Sequence, residues 1–255
     1  MMRVNSSSER SHPQSFAGKT NIEVISTTSY ISPWLSSLAY FLGHNFLMPL
    51  FFGQIQVTGQ ENIPRSGPVL LAPTHRSRWD ALLVPYATGR MVSGRDLRFM
   101  VTSTECTGIQ GWFIRRLGGF AVNAKHPSVS TLRHAMDILR QGEILVIFPE
   151  GGIRKGKLHP LKPGISRLAL SAEATTPGLG VKILPIGITY SQENPSWGTD
   201  IHIQIGKPIQ VRDYMQGDSK DNAKRLMSDL TQALQKLSCH GSDLADHHFV
   251  KIANS

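Results

Sequence analysis

The chain has 255 residues, 40% apolar and 18% charged, which is enough for one sizeable domain with a closed core. Its 27 Lys+Arg against 18 Asp+Glu leave a net charge of +9, favouring polyanionic partners: nucleic acid, an anionic membrane leaflet, phosphorylated substrates or an acidic carrier protein. No zinc spacing, basic helix or pair of strand aromatics marks a nucleic-acid module, so nucleic acid is set aside as a partner. Cys106 and Cys239 are far apart, make no metal or redox spacing, and fit a reducing compartment.

Residues 1–20 are serine-rich, with Arg3, Arg10 and Lys19 and no apolar run, and read as a flexible basic tail and not as a secretory signal. Residues 21–53 form an apolar segment. No Asp, Glu, Lys or Arg occurs between Val24 and Gln60. The run from Ile31 to Phe52 is about long enough to span a bilayer. Ser36, Ser37, Gly43, His44, Asn45 and Pro49 interrupt it, however, and would be costly at the hydrocarbon centre. One or two helices lying in the interface, with Trp34 and Tyr40 near the headgroups, suit it better. The competing reading is a helical hairpin buried over the core.

From residue 54 to 238 strands and helices alternate. Pro68–Pro73 is a short apolar strand, and Trp79–Thr88 a helix broken or kinked near Pro85. Leu97–Thr102 and Phe120–Val122 read as strands with a short helix between them. Ser128–Arg140 places Val129, Leu132, Met136 and Leu139 on one face, as a helix packed on a sheet does. Ile144–Phe148 is a buried strand, Ile165–Thr175 a helix, Lys182–Tyr190 a strand, and Asp200–Ile205 an alternating strand with one wet face. Asn222–Leu237 closes the domain as an amphipathic helix, and residues 239–255 read as a flexible tail. The expected fold is a single α/β domain with a mixed, mostly buried sheet flanked by helices, preceded by the membrane-associating segment.

Three clusters carry chemistry. Thr74-His75-Arg76-Ser77-Arg78-Trp79-Asp80 follows a buried strand, where α/β folds place their reactive loops. His75 can take a proton near neutral pH, and Asp80 can return to its other ring nitrogen across a turn. On spacing alone this is also what a surface histidine beside a helix-capping aspartate looks like. Phe148-Pro149-Glu150-Gly151-Gly152-Ile153-Arg154 joins paired glycines, which let backbone N–H groups approach an anion, to a carboxylate and an arginine. A plain glycine turn with solvated charges has the same composition. Gly111–Gly119 sets Arg115 and Arg116 among apolar residues, either to grip a phosphate or, with one arginine stacked on Trp112, to reach water. Clustered tail histidines carry no ligand spacing, and no metal is expected.

Taken together and in this order, His75-x4-Asp80, Gly111–Arg116, Phe148-Pro149-Glu150-Gly151 and Leu184-Pro185-Ile186 resemble the glycerolipid acyltransferase family, in its branch acylating lysophosphatidic acid (1-acyl-sn-glycerol-3-phosphate). The resemblance runs from about Gly53 to Ile209. It implies that His75 is the general base and Asp80 its partner. It also implies that Arg115, Arg116, Glu150, Gly151, Gly152 and Arg154 surround the acceptor phosphate, and that the Pro185 strand lines the acyl side. The implied product is phosphatidic acid, made without cofactor from acyl-ACP or acyl-CoA and a lysophospholipid acceptor. The expected site of action is the cytoplasmic side of a membrane, held peripherally or monotopically. Thr74 stands where the family usually has Asn, and Arg154 is shifted by one position. Arg115-Arg116 looks more like the glycerol-3-phosphate branch, which makes acylation of glycerol-3-phosphate or another lysolipid the alternative. A non-catalytic lipid-binding protein is the alternative of another class.

Overall fold

The computed structural model describes residues 30–123 and 126–252, with side chains as far as Ser238. The expected tail at 1–20 lies outside the described residues. The apolar segment forms one nearly continuous helical run, α1 (Pro33–Leu42), a π-helical stretch (Gly43–Leu47) and α2 (Met48–Phe51). Pro49 has no N–H to give to the preceding turn, and the wider π turn sits just before it, with Met48 N donating to Gly43 O. Leu35, Ser36, Met48 and Phe52 are buried, whereas Trp34 (67%), Phe46 (57%) and Leu50 (66%) are largely exposed. The run is therefore neither a helical hairpin nor a fully covered core element. Among the described residues, no helix is long and apolar enough to cross a membrane.

The domain proper is a mixed eight-stranded sheet between helices. Its elements are β1 (Ile55–Thr58), β2 (Val69–Pro73), α3 (Asp80–Thr88), α4 (Arg90–Ser93), β3 (Leu97–Thr102), α5 (Gly108–Arg116), β4 (Gly119–Val122), α6 (Val129–Arg140), β5 (Ile144–Val146), α7 (Gly164–Thr175), β6 (Lys182–Tyr190), β7 (Ile201–Ile205), β8 (Ile209–Gln210) and α8 (Ser219–Ile252). The strand order is β1-β7-β6-β2-β5-β3-β4, with β8 paired to β6. β6, β2, β5, β3 and β4 run parallel, while β7 is antiparallel to β6 and carries β1 alongside it. The helical backbone of α8 continues past Cys239 to Ile252.

β2 shows why the central strands read as continuous apolar runs. Leu70 and Ala72 face one core with Leu145, Ile183 and residues of α6, α7 and α8, whereas Val69 and Leu71 face the other with Ile144, Leu184 and residues of α3. A parallel sheet covered on both faces has no polar side to alternate. α6 is capped as its sequence suggests, with the Ser128 hydroxyl accepting from Thr131 N at 3.1 Å. Its buried face is the expected one in part, with Leu139 buried and Met136 packed against the core. Thr131, Ala135, Ile138 and Leu139 are covered, while Val129 and Leu132 are exposed. α3 stays helical through Pro85 and breaks at Gly89, where a Cβ would lie 2.3 Å from the Tyr40 ring and 2.5 Å from Pro85 O. Close approach of α1 therefore requires glycine at that position.

Candidate active site

Three adjacent parallel strands end on the same side of the sheet, and each delivers one part of the site. β2 runs into His75, β5 into Glu150, and β6 ends at Tyr190. This is the edge where open α/β sheets place ligands. The loop after β2 is anchored to β6, with Thr74 N donating to Ile186 O at 2.9 Å and Ile188 N donating to Thr74 Oγ1 at 2.9 Å.

His75 Nδ1 lies 3.0 Å from Asp80 Oδ2, so the two residues that the spacing only suggested do meet. Asp80 is fully buried at the start of α3 and saturated with donors. Oδ2 also accepts from Arg76 N at 2.6 Å and Ser77 N at 2.8 Å, and Oδ1 accepts from the Tyr190 hydroxyl at 2.6 Å. The helix N-terminus and these donors suit a buried carboxylate. The His75 ring stacks on Phe148 with centroids 4.1 Å apart. With Nδ1–H directed at Asp80, Nε2 is the basic nitrogen.

Glu150, expected around the acceptor phosphate, lies buried among hydrogen bonds within the protein. It is 2% exposed, and it accepts from His75 N at 3.1 Å, His159 N at 3.1 Å and Arg76 Nη1 at 2.8 and 3.1 Å. Arg154 N in turn donates to His75 O at 2.7 Å, and Arg76 Nη1 to Arg154 O at 2.9 Å. Glu150 thus ties the two reactive loops together and fixes the backbone of His75.

His75 opens into a cavity of about 1050 Å³, at the upper end of what small-ligand sites require. Its walls come from the apolar run, α3, β3, α5 and α7, with Leu47, Met48, Phe99, Phe113 and Ile165 among the lining side chains. Gly151, Gly152, Arg78 and Lys162 also line it. Gly151 has φ +71°, and the Lys162 side chain passes over it, so a Cβ there would lie 2.5 Å from Lys162 Cε. Arg78 pairs with Glu105 at the wall. Arg154, Arg115 and Arg116 do not line this cavity. Arg115 Nη1 donates to Cys106 O at 2.9 Å, and the Arg116 guanidinium sits 4.5 Å from the Trp112 ring centre, both in a separate cleft with Tyr30. β6 lies across β2 from the cavity and contributes none of its lining among the described residues, with Pro185 instead packing near Gly206. Among the described residues, no group of His, Cys, Asp and Glu is placed to hold a metal.

Sequence reasoning misses Tyr190, Lys162 and Arg78. Tyr190 is distant in sequence from Asp80, and only the pairing of β6 with β2 brings them together. Arg78 stands in view between His75 and Asp80 without a role, and Lys162 has no motif to single it out.

Comparison with known proteins identifies the family. The Acyltransferase family model matches residues 54–189, more than half of the chain. The chain belongs to the acyltransferase family. It is 24% identical over 196 residues to a 1-acyl-sn-glycerol-3-phosphate acyltransferase of Bacillus subtilis, covering 72% of this chain and 88% of that one. It is 26% identical over 246 residues to the mouse mitochondrial glycerol-3-phosphate acyltransferase 1, covering 78% of this chain but spanning only 30% of that protein. The crystal structure of a 1-acyl-sn-glycerophosphate acyltransferase from Thermotoga maritima superposes with a TM-score of 0.60 over 79% of each chain at 21% identity, a likeness of fold.

Proposed function

We propose that this acyltransferase-family chain moves a fatty acyl group from a thioester, acyl-ACP or acyl-CoA, to the free hydroxyl of 1-acyl-sn-glycerol-3-phosphate, giving phosphatidic acid at a membrane surface. The observation that carries the reading is the His75–Asp80 pair opening into a large, mainly apolar cavity with Arg78 and Lys162 on its wall. The apolar volume suits an acyl chain, and the two cations suit a phosphate.

In this mechanism His75 Nε2 takes the proton of the acceptor hydroxyl as its oxygen attacks the thioester carbonyl. The C–S bond then breaks, and the imidazolium returns the proton to the leaving thiolate. Asp80 holds the tautomer and offsets the charge that forms on the ring. General-base catalysis of this kind contributes about 10²–10⁴-fold, and the rest comes from positioning and charge stabilisation. Neither an acyl-enzyme nor a cofactor enters these steps.

The exposed aromatic and aliphatic side chains of the apolar run suit an interfacial helix on one leaflet, and a +9 chain suits the anionic cytoplasmic one.

The test offers 1-acyl-sn-glycerol-3-phosphate and glycerol-3-phosphate side by side, with both thioester donors, to the full chain and its His75→Ala variant. Lysophosphatidate turnover lost in the variant supports the reading. Turnover of glycerol-3-phosphate instead keeps the mechanism and changes the acceptor. Absence of turnover in folded, vesicle-bound protein sinks the enzymatic reading in favour of a lipid-binding one.

A further inference from the structure

We propose that Tyr190 is a positioning residue for this acyl transfer, holding the Asp80 carboxylate so that His75 keeps its proton on Nδ1 and its lone pair on Nε2. The inference rests on the reading of His75 as the general base.

The division of hydrogen bonds at Asp80 points to this role. Oδ2 accepts from His75 Nδ1 and from the backbone N–H groups of Arg76 and Ser77, whereas Oδ1 accepts from the Tyr190 hydroxyl at 2.6 Å. Asp80 is fully buried, so without the phenol Oδ1 would be a buried charged oxygen short of a donor, which is costly to leave unmade. Oδ2 keeps the imidazole and the two backbone donors, but the carboxylate loses the donor that fixes its plane and concentrates its charge on the ring.

Tyr190 is itself held in place. It ends β6 four residues beyond the last register pair with β2, Pro73 with Ile186. It pairs with Ile201 of β7 on its other side, and its ring lies 6.5 Å from that of Phe52. Burial first, then the Asp80 charge and the hydrogen bond to it, push the phenol well above its ordinary range, so it remains a donor at any working pH. The other charged groups nearby are the buried Arg76–Glu150 pair and, on the cavity wall, Arg78, Glu105 and Lys162. None of them donates to Oδ1.

The simpler alternative is a buried tyrosine that has found a partner and does nothing more. Charge separates the two. Removing the donor leaves Asp80 more negative toward the ring, which favours the imidazolium, so His75 must lose its proton at higher pH. Strengthening the donor does the reverse.

The experiment compares the full chain with Tyr190→Phe and with 3-fluorotyrosine incorporated at position 190, whose more acidic phenol donates more strongly while filling nearly the same space. Two readouts are taken: kcat and KM against pH, and the titration midpoint of the ¹⁵N-labelled His75 ring by NMR. Tyr190→Phe is expected to raise the midpoint and the acid limb of kcat by about half a pH unit. It should also lower kcat about tenfold with KM nearly constant. Fluorotyrosine is expected to lower the midpoint. A kcat loss with an unmoved midpoint, or no change in either readout, overturns the proposal. The NMR midpoint does not depend on turnover, so an inactive chain whose midpoint moves as described refutes the acyl-transfer reading and leaves the hydrogen-bond assignment standing. Should the Phe variant fail to fold, the fluorotyrosine shift alone decides.

Discussion

Replacing Glu150 with alanine separates a structural tie from a substrate contact. The carboxylate is paired with Arg76, whose side chain is 10% exposed, and it also accepts from the backbone N–H groups of His75 and His159. Truncation leaves a buried guanidinium without its counter-ion, which costs about 3–5 kcal/mol. With a urea m-value of about 3 kcal/mol/M, the upper end for a chain of this size, the unfolding midpoint should fall by about 1–1.7 M. kcat should fall as well, because the backbone of His75 loses an anchor, while KM for the acceptor stays near its original value. A compensated pair sharpens the test. Arg76→Met with Glu150→Leu removes both charges and should recover most of the lost stability, since buried ion pairs are commonly replaceable by apolar groups. kcat should remain low in that double variant, because His75 N and His159 N still lack their acceptor. A midpoint within about 0.3 M of the parent together with a raised acceptor KM would show that Glu150 meets substrate, and the argument from its hydrogen bonds would fail.

Lys162→Ala and Arg78→Ala should each raise the KM of a phosphate-bearing acceptor by about tenfold or more, whereas Arg115→Ala and Arg116→Ala should leave it within about twofold. Steady-state kinetics with acceptor varied checks this, and the opposite ranking would move the phosphate to the Trp112 cleft. Replacing Trp34, Phe46 and Leu50 together with serine should weaken binding to anionic vesicles by about a hundredfold or more with the unfolding midpoint little changed, as vesicle sedimentation can measure. His202 is pushed below the ordinary histidine value of 6.5 by burial, and neither of its ring nitrogens has a partner among the described residues. A depressed folded-state value means that the unfolded chain binds the proton more readily. The stability contributed is thus complete above about pH 6.5 and is lost as pH falls below it. Melting temperatures from pH 7.5 to 5 should show that decline, and His202→Gln should flatten it.

The sequence shows the elements whose signals are local. β7 reads as a strand from its strict alternation, and β2 and β6 from short apolar runs whose length and flanking Gly and Pro separate them from a buried helix. β1 is not legible in this way, since Ile55 and Val57 give only two alternations beside a longer apolar segment. The helical spacing of Val129 and Leu132 points to the wrong face of α6, because both lie exposed, with Leu132 at the cavity. Apolar spacing cannot tell a core-facing stripe from a cavity-facing one. The same limit applies to charge. Arg115 and Arg116 beside apolar residues suggest a phosphate grip, but Arg116 spends its guanidinium on Trp112, the other reading that its neighbours allow. His75 and Asp80 are legible because a turn joins them. Glu150 is legible from its local pattern, but its tie to the His75 loop, like that of Tyr190 to Asp80, depends on strand order, which no local pattern encodes.

Strand order also accounts for why the reactive loops need no support from one another in sequence. β2 sits between β5 and β6, so the loop carrying His75 is clamped on one side by Glu150 and on the other by Tyr190 and the Thr74 bonds to Ile186 and Ile188. The clamps act on different atoms. Glu150 holds the His75 backbone, whereas Tyr190 holds the carboxylate that orients its ring. Loss of either should lower turnover, but by routes that do not overlap. A Glu150→Ala variant should lose the more stability and, with Arg76 left unpaired beside His75, favour the neutral imidazole, whereas Tyr190→Phe should lose less stability and favour the imidazolium. In the proposed mechanism, a histidine whose backbone and ring are fixed independently from two neighbouring strands can present Nε2 to a mobile lipid hydroxyl without being reoriented by it, as direct transfer from a thioester would demand of a single base.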